Sequence, residues 1–154
     1  MSVIAWDGRY IASDQRGINC GYYFMQKKLH VWKNAIIGVV GDQCAALSIL
    51  EWFKRGAPED HFPAIQSTDA WARCIIATAR NVEHYEQTPF PIDVHEPFMA
   101  WGSGRDFALG AMAAGKNAIQ AVEITCQLCV SCGNGIQAYD LKTMKEISHV
   151  DESA

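Results

Sequence analysis

The chain has no excess of basic residues. Its 13 Lys and Arg stand against 17 Asp and Glu, for a net charge of -4, and no run of Lys or Arg exceeds two. A phosphate backbone therefore finds no basic stripe to grip, and nucleic acid is not an expected partner. Long apolar runs are missing as well. The longest candidates, residues 35–41 and 107–115, have strand and helix lengths and fall far short of the ~20 residues that cross a bilayer, so no membrane span is expected. The opening MSVIAWDGRY has no cationic start, apolar stretch and small-residue cleavage site in succession. A secretory signal is thus not expected, and a cytoplasmic location is. The five histidines (His30, His61, His84, His95, His149) are scattered singly without HExxH spacing, and no GxSxG elbow occurs. An α/β-hydrolase triad thereby lacks its nucleophile. Internal repeats and low-complexity linkers are also lacking.

What the chain does have is core material: 49% of its 154 residues are hydrophobic and only 19% charged. That composition and length predict one globular domain over residues 1–154, ending in a short polar tail. Six cysteines (Cys20, Cys44, Cys74, Cys126, Cys129, Cys132) sit mostly within apolar segments. In a cytosolic chain this favours reduced, buried thiols over a disulfide framework.

Val3 to Trp6 and Arg9 to Ser13 read as strands around Asp7-Gly8, a dipeptide suited to a tight hairpin. Lys27 to Trp32 and Ala35 to Val40 form a second pair around Lys33-Asn34, the latter strand apolar enough to be covered on both faces. Asp42 then offers an N-cap for a helix with Cys44, Leu47, Leu50 and Phe53 at helical spacing, closed by Gly56 and Pro58. Ala57 to Ala70 reads as a loop with at most one short helix. Further strands are expected at Arg73 to Ala79, Val82 to Tyr85 and Phe98 to Trp101. Gly102 to Gly115 carries small and apolar residues at helical spacing. A third helix follows, opened by the Asn117 and Gln120 pair, with Ile119, Val122, Cys126 and Cys129 sharing a face. A last strand is expected at Ile136 to Leu141. Strands and helices arranged in blocks argue for layered α+β packing, not a βαβ nucleotide fold.

Five local patterns stand in a telling order: Ser2 behind the initiator, SDQR at Ser13 to Arg16, KKL at Lys27 to Leu29, IIGVVGD at Ile36 to Asp42, and GSGRDFALGAM from Gly102. Together they resemble the proteasome-type N-terminal nucleophile (Ntn) hydrolases. The nearest type is the bacterial HslV peptidase of two-component ATP-dependent proteases, or a compact phage-like relative of it. The resemblance implies an αββα sandwich of two antiparallel sheets between helical layers, with the second long helix shortened or absent in Ala57 to Ala70.

It also implies a threonine-type peptidase in which serine replaces threonine and peptide bonds break through an acyl-enzyme. A serine hydroxyl is a weak nucleophile and needs an adjacent base. Here the base is the chain's own α-amine, whose pKa of roughly 8 lies near working pH. Ser2 carries that amine only once Met1 is removed. By the same resemblance Lys28 is the buried cation beside the nucleophile, held by Asp14, with Lys27 as its neighbour on the opposite strand face. Gly38 presents an N–H to the oxyanion, and Ser103 hydrogen-bonds the amine. No cofactor is required. The backbone carbonyls of Cys126, Cys129 and Cys132 match the place where relatives hold a monovalent or divalent cation. Expected partners are a peptide or unfolded protein substrate, further copies in a homo-oligomeric ring, and an ATP-dependent unfoldase.

Each residue also has a plainer reading. Lys28 fits a solvated strand lysine, Gly38 a bulge or helix-packing glycine, and Ser103 a helix N-cap. CxxCxxC also has the spacing of a zinc or iron-sulfur ligand set. For the whole chain, a catalytically silent scaffold and a small-amide Ntn amidohydrolase are the alternatives. The first hairpin sharpens the question. If Asp7-Gly8 is a strict two-residue turn, Ser2 lies opposite Ser13, one step out of register; a wider turn over Asp7 to Tyr10 restores it.

Overall fold

The computed structural model describes residues 2–64 and 71–148. Met1, the 65–70 part of the expected loop, His149 and the polar tail lie outside the described residues.

The wider turn is the one that forms. Asp7 Oδ1 accepts from the N–H groups of Arg9 and Tyr10 at 2.9 and 2.7 Å, and Asp7 N donates to Tyr10 O at 3.2 Å. This side-chain turn spans four residues, with Gly8 supplying the positive φ of +91°. Strands β1 (Ile4–Trp6) and β2 (Tyr10–Asp14) then pair with Ile4 opposite Ser13 and Trp6 opposite Ile11. Val3 falls beside Asp14, whose N–H donates to its carbonyl at 3.3 Å. Ser2 is thereby brought one residue from the Asp14 carboxylate.

A hairpin that the sequence does not announce follows: β3 (Arg16–Asn19) and β4 (Tyr22–Met25), turning on Cys20 and Gly21, both at positive φ. Then come β5 (Leu29–Trp32), β6 (Ala35–Gly41) and helix α1 (Gln43–Lys54). Asp42 caps α1 as expected, its Oδ1 accepting from Ala45 N at 2.9 Å. The face α1 buries is Ala46, Ile49, Leu50 and Trp52, so Cys44 and Leu47 turn outward instead of joining the stripe. Between α1 and the next strand the described residues hold a single 3-10 turn, Glu59–His61.

Strands β7 (Ala72–Ala77), β8 (Val82–Tyr85), β9 (Ile92–Asp93) and β10 (Met99–Trp101) lead to helices α2 (Arg105–Ala113) and α3 (Ala118–Leu128). Asn117 and Gln120 form the expected reciprocal cap on α3. The buried face of α3 is Ala118, Ala121, Val122 and Thr125. Ile119 and Cys126 sit only at its flank, and Cys129 caps the helix from outside it. Strands β11 (Ile136–Asp140) and β12 (Lys145–Glu146) complete the fold.

Two five-stranded antiparallel sheets result, in the orders β10-β1-β2-β11-β12 and β5-β6-β7-β8-β9. Helices α2 and α3 cover the first through Val3, Ala5, Ala108 and Val122, and α1 covers the second through Ile37, Val39, Ile49 and Trp52. Ile4, Ile11, Leu29, Ile36, Val40 and Ile75 fill the space between the sheets. The continuous apolar run of β6 follows from this: alternate residues face the opposite sheet and α1, and neither face meets water. The architecture is the expected αββα sandwich. Among the described residues, no helix is long and apolar enough to cross a membrane. Cys74 and Cys132 are buried, whereas Cys20 and Cys44 are exposed, contrary to expectation.

Candidate active site

Asp14, at the end of β2, is fully out of water, and each of its oxygens accepts two hydrogen bonds. Oδ1 takes Lys28 Nζ at 2.7 Å and Val3 N at 3.1 Å; Oδ2 takes Arg16 N and Gly133 N, each at 3.2 Å. A buried carboxylate is tolerable when paired and saturated in this way. Lys28 is 2% exposed while Lys27 lies on the surface, so the structure chooses between the two lysines and sets aside the solvated reading.

Ser2 is 5% exposed and its backbone is gripped by the segment before α2. Its N donates to Ser103 Oγ at 3.1 Å, and its carbonyl accepts from Gly104 N at 3.1 Å. Gly102, at φ +99°, permits the approach: a side chain there would collide with the Ser2 carbonyl. Ser103 is not the cap of α2, because Gly104 holds that position without a side-chain bond. The hydroxyl is aimed at the Ser2 nitrogen instead.

Ser2 and Lys28 line one cleft of about 290 Å³, walled by the β3–β4 hairpin on one side and by the β6–α1 junction on the other. Gly38 is not at this cleft. It lies inside β6 between Leu29 and Ile75, where an added Cβ would stand 2.8 Å from Ile4 Cδ1. Amides alternate along an antiparallel strand. Val39 N donates toward β5, to Lys28 O at 3.0 Å, so the Gly38 N–H faces β7. Gly38 is thus neither a bulge nor a helix-packing glycine but faces Ile4 of the opposite sheet, and its amide does not point toward the cleft. Gly41 shares the sense of Val39, lies past the end of β5 and lines the cleft.

The cysteine motif divides in a similar way. Burial, and then the negative charge of Asp14, push the Cys126 thiol up to about 12, and Cys132 rises for the same two reasons. Among the described residues no cluster of His, Cys, Asp or Glu is arranged to hold an ion. The carbonyls at this helix end have neighbours of their own. Cys129 O already accepts from Cys132 N at 3.1 Å, and the Arg16 guanidinium brings positive charge onto the same turn, 2.8 Å from Val130 O.

Two participants escaped the sequence. Gly133 N anchors Asp14, and buried Gln137 on β11 clamps the start of β5 from the other sheet. Gln137 Oε1 accepts from Lys28 N and Leu29 N at 3.3 and 3.1 Å, and its Nε2 donates to Leu29 O at 2.9 Å. A glutamine within an apolar strand was the available signal, since burial obliges it to find partners.

No known family's sequence profile matches the chain, and no curated protein does. Solved structures do match. BPH from Thiobacillus denitrificans superposes with a TM-score of 0.64 at 18% identity, covering 97% of this chain and 100% of that one. HslV from Trypanosoma brucei gives 0.65 at 18%, covering 90% and 98%, and Anbu (ancestral beta-subunit) from Yersinia bercovieri 0.71 at 12%, covering 99% and 88%. The chain has the proteasome-type fold. Identities this low carry the fold alone. BPH has also been solved in complex with epoxomicin, at a TM-score of 0.65 and 19% identity over 92% of this chain and 99% of that one.

Proposed function

We propose that the chain is an Ntn peptidase of the proteasome/HslV type that uses Ser2 as its nucleophile. The observation that carries this reading is the hydrogen bond from Ser2 N to Ser103 Oγ at the rim of a cleft shared with the Asp14-bound Lys28. Ser2 N is an amide while Met1 is attached. Once a methionine aminopeptidase removes Met1, the same atom is an amine, already placed against a hydroxyl that accepts from it.

In the proposed reaction that amine takes the Ser2 hydroxyl proton, and the serine oxygen attacks the scissile carbonyl. The nearby ammonium of Lys28, held in place by Asp14, favours the deprotonated nucleophile. The Gly41 N–H takes the role first assigned to Gly38 and donates to the oxyanion. The amine then protonates the leaving nitrogen, and water, deprotonated by the same group, releases the acyl-enzyme. The family likeness further suggests a peptide or unfolded-protein substrate, a ring of identical copies and an ATP-dependent unfoldase partner.

The second reading, a silent scaffold, is favoured by the turned-away amide of Gly38. Hydrolysis of an unfolded protein by a chain verified to lack Met1 separates the two. On the peptidase reading cleavage occurs, Ser2→Thr retains it and Ser2→Ala abolishes it. A Met1-free chain that cleaves nothing, with Ser2→Ala indistinguishable from it, leaves the scaffold.

A further inference from the structure

Building on the peptidase reading, we infer that the cleft selects a basic side chain next to the bond it cuts, and that Asp42 selects it. The charged side chains lining the cleft are Lys28 and Asp42. Lys28 is buried in its ion pair with Asp14, whereas Asp42 is exposed at the junction of β6 and α1. The Asp42 carboxylate is held in place. Its Oδ1 accepts from Ala45 N at 2.9 Å, and its backbone N donates to Trp71 O at 2.9 Å. Capping leaves acceptor capacity, since an ionised carboxylate has about four lone-pair sites. The N-terminus of α1 offsets only part of the charge, being equivalent to roughly half a positive charge.

The rest of the wall suits the stem of such a side chain. Ile18 and Phe24 from the hairpin, with Val39 and Ala46 across from them, supply apolar surface. Phe24 is fixed there because its ring lies over its cross-strand partner Gly17, where any side chain would collide with it. Arginine and lysine have an alkyl stem for that surface and a cation for the carboxylate, and arginine also stacks on an aromatic ring. An acidic side chain meets repulsion, and an aliphatic one brings the Asp42 carboxylate no counter-charge.

The test is calorimetric binding of peptide carboxamides, identical except for a C-terminal Arg, Leu or Glu, to the full-length Met1-free chain. Arg is expected to bind about fivefold tighter than Leu, the scale of one exposed ion pair, and tenfold or more tighter than Glu. Raising the salt compresses these ratios. Asp42→Asn retains a good N-cap and should bring the three peptides within about twofold of one another. Tightest binding by Leu or Glu, or an unchanged Arg preference in folded Asp42→Asn, overturns the assignment. Basic selectivity without Ser2 reactivity would sink the peptidase reading alone. Ser2 reactivity without basic selectivity would sink the Asp42 inference alone.

Discussion

Lys28 Nζ donates to Asp14 Oδ1 across 2.7 Å, with both side chains shut away from water. Taking one member away strands a charge in the interior, which costs about 3–5 kcal/mol. Lys28→Met and Asp14→Asn are therefore each expected to lower the urea unfolding free energy by that order. The double variant should lose less than the sum, because neither charge remains. Additive losses in a double-mutant cycle would mean that the pair is not coupled.

Gln137 makes a narrower prediction. Gln137→Leu keeps approximate volume but leaves the N–H groups of Lys28 and Leu29 without their acceptor, each worth about 1–3 kcal/mol when buried. Denaturant titration should show a loss of that order, and hydrogen exchange at Lys28 and Leu29 should quicken more than in β8. Uniform quickening throughout the sheet would point to general destabilisation instead of a local clamp.

Gly102 and Ser103 separate backbone fit from chemistry. A side chain at Gly102 runs into the Ser2 carbonyl at a positive φ, so Gly102→Ala should both destabilise the fold and displace Ser2. Ser103→Ala removes two partly exposed hydrogen bonds to the Ser2 backbone, the second a long one, for a loss of about 1 kcal/mol, yet should slow acylation at Ser2. Comparing unfolding midpoints with rates of covalent labelling checks both; an unslowed Ser103→Ala would deny the hydroxyl a part in catalysis.

These positions show what the sequence could reveal. The caps at Asp42 and Asn117 were legible because a short polar side chain before an apolar helical stripe has one use. The β3–β4 hairpin was not, since every residue of Tyr22–Met25 is exposed and no alternation marks it. Ser2, Asp14, Lys28 and Ser103 were found by order and spacing, and the structure brings them together. Gly38 was named although its amide faces β7, because a motif does not say which way each amide of a strand points; pairing with neighbouring strands decides that. The exact buried faces of α1 and α3 were likewise set by packing, which moved Cys44, Leu47 and Cys129 off the expected stripes.

Acid should weaken the fold through two strand histidines. Burial pushes His30 and His84 below their ordinary value, with Lys54 and Lys27 reinforcing the shift at His30 and Glu86 opposing it at His84. The unfolded chain then binds more protons than the folded one just below the usual histidine pKa of about 6.5. Their contribution is complete above that pH and is lost as pH falls toward the lowered folded values. The urea midpoint should drop between about pH 7.5 and 5.5, and less steeply in His30→Gln/His84→Gln. A midpoint that rises over this interval would reverse the sign.

The most direct test is intact-mass analysis after treatment with a peptide epoxyketone, whose two electrophilic centres suit a neighbouring hydroxyl and amine. A chain lacking Met1 should gain the mass of one reagent molecule, mapped to Ser2 and absent from Ser2→Ala. A Met1-free, folded chain that gains no mass, or gains it equally in Ser2→Ala, contradicts the account.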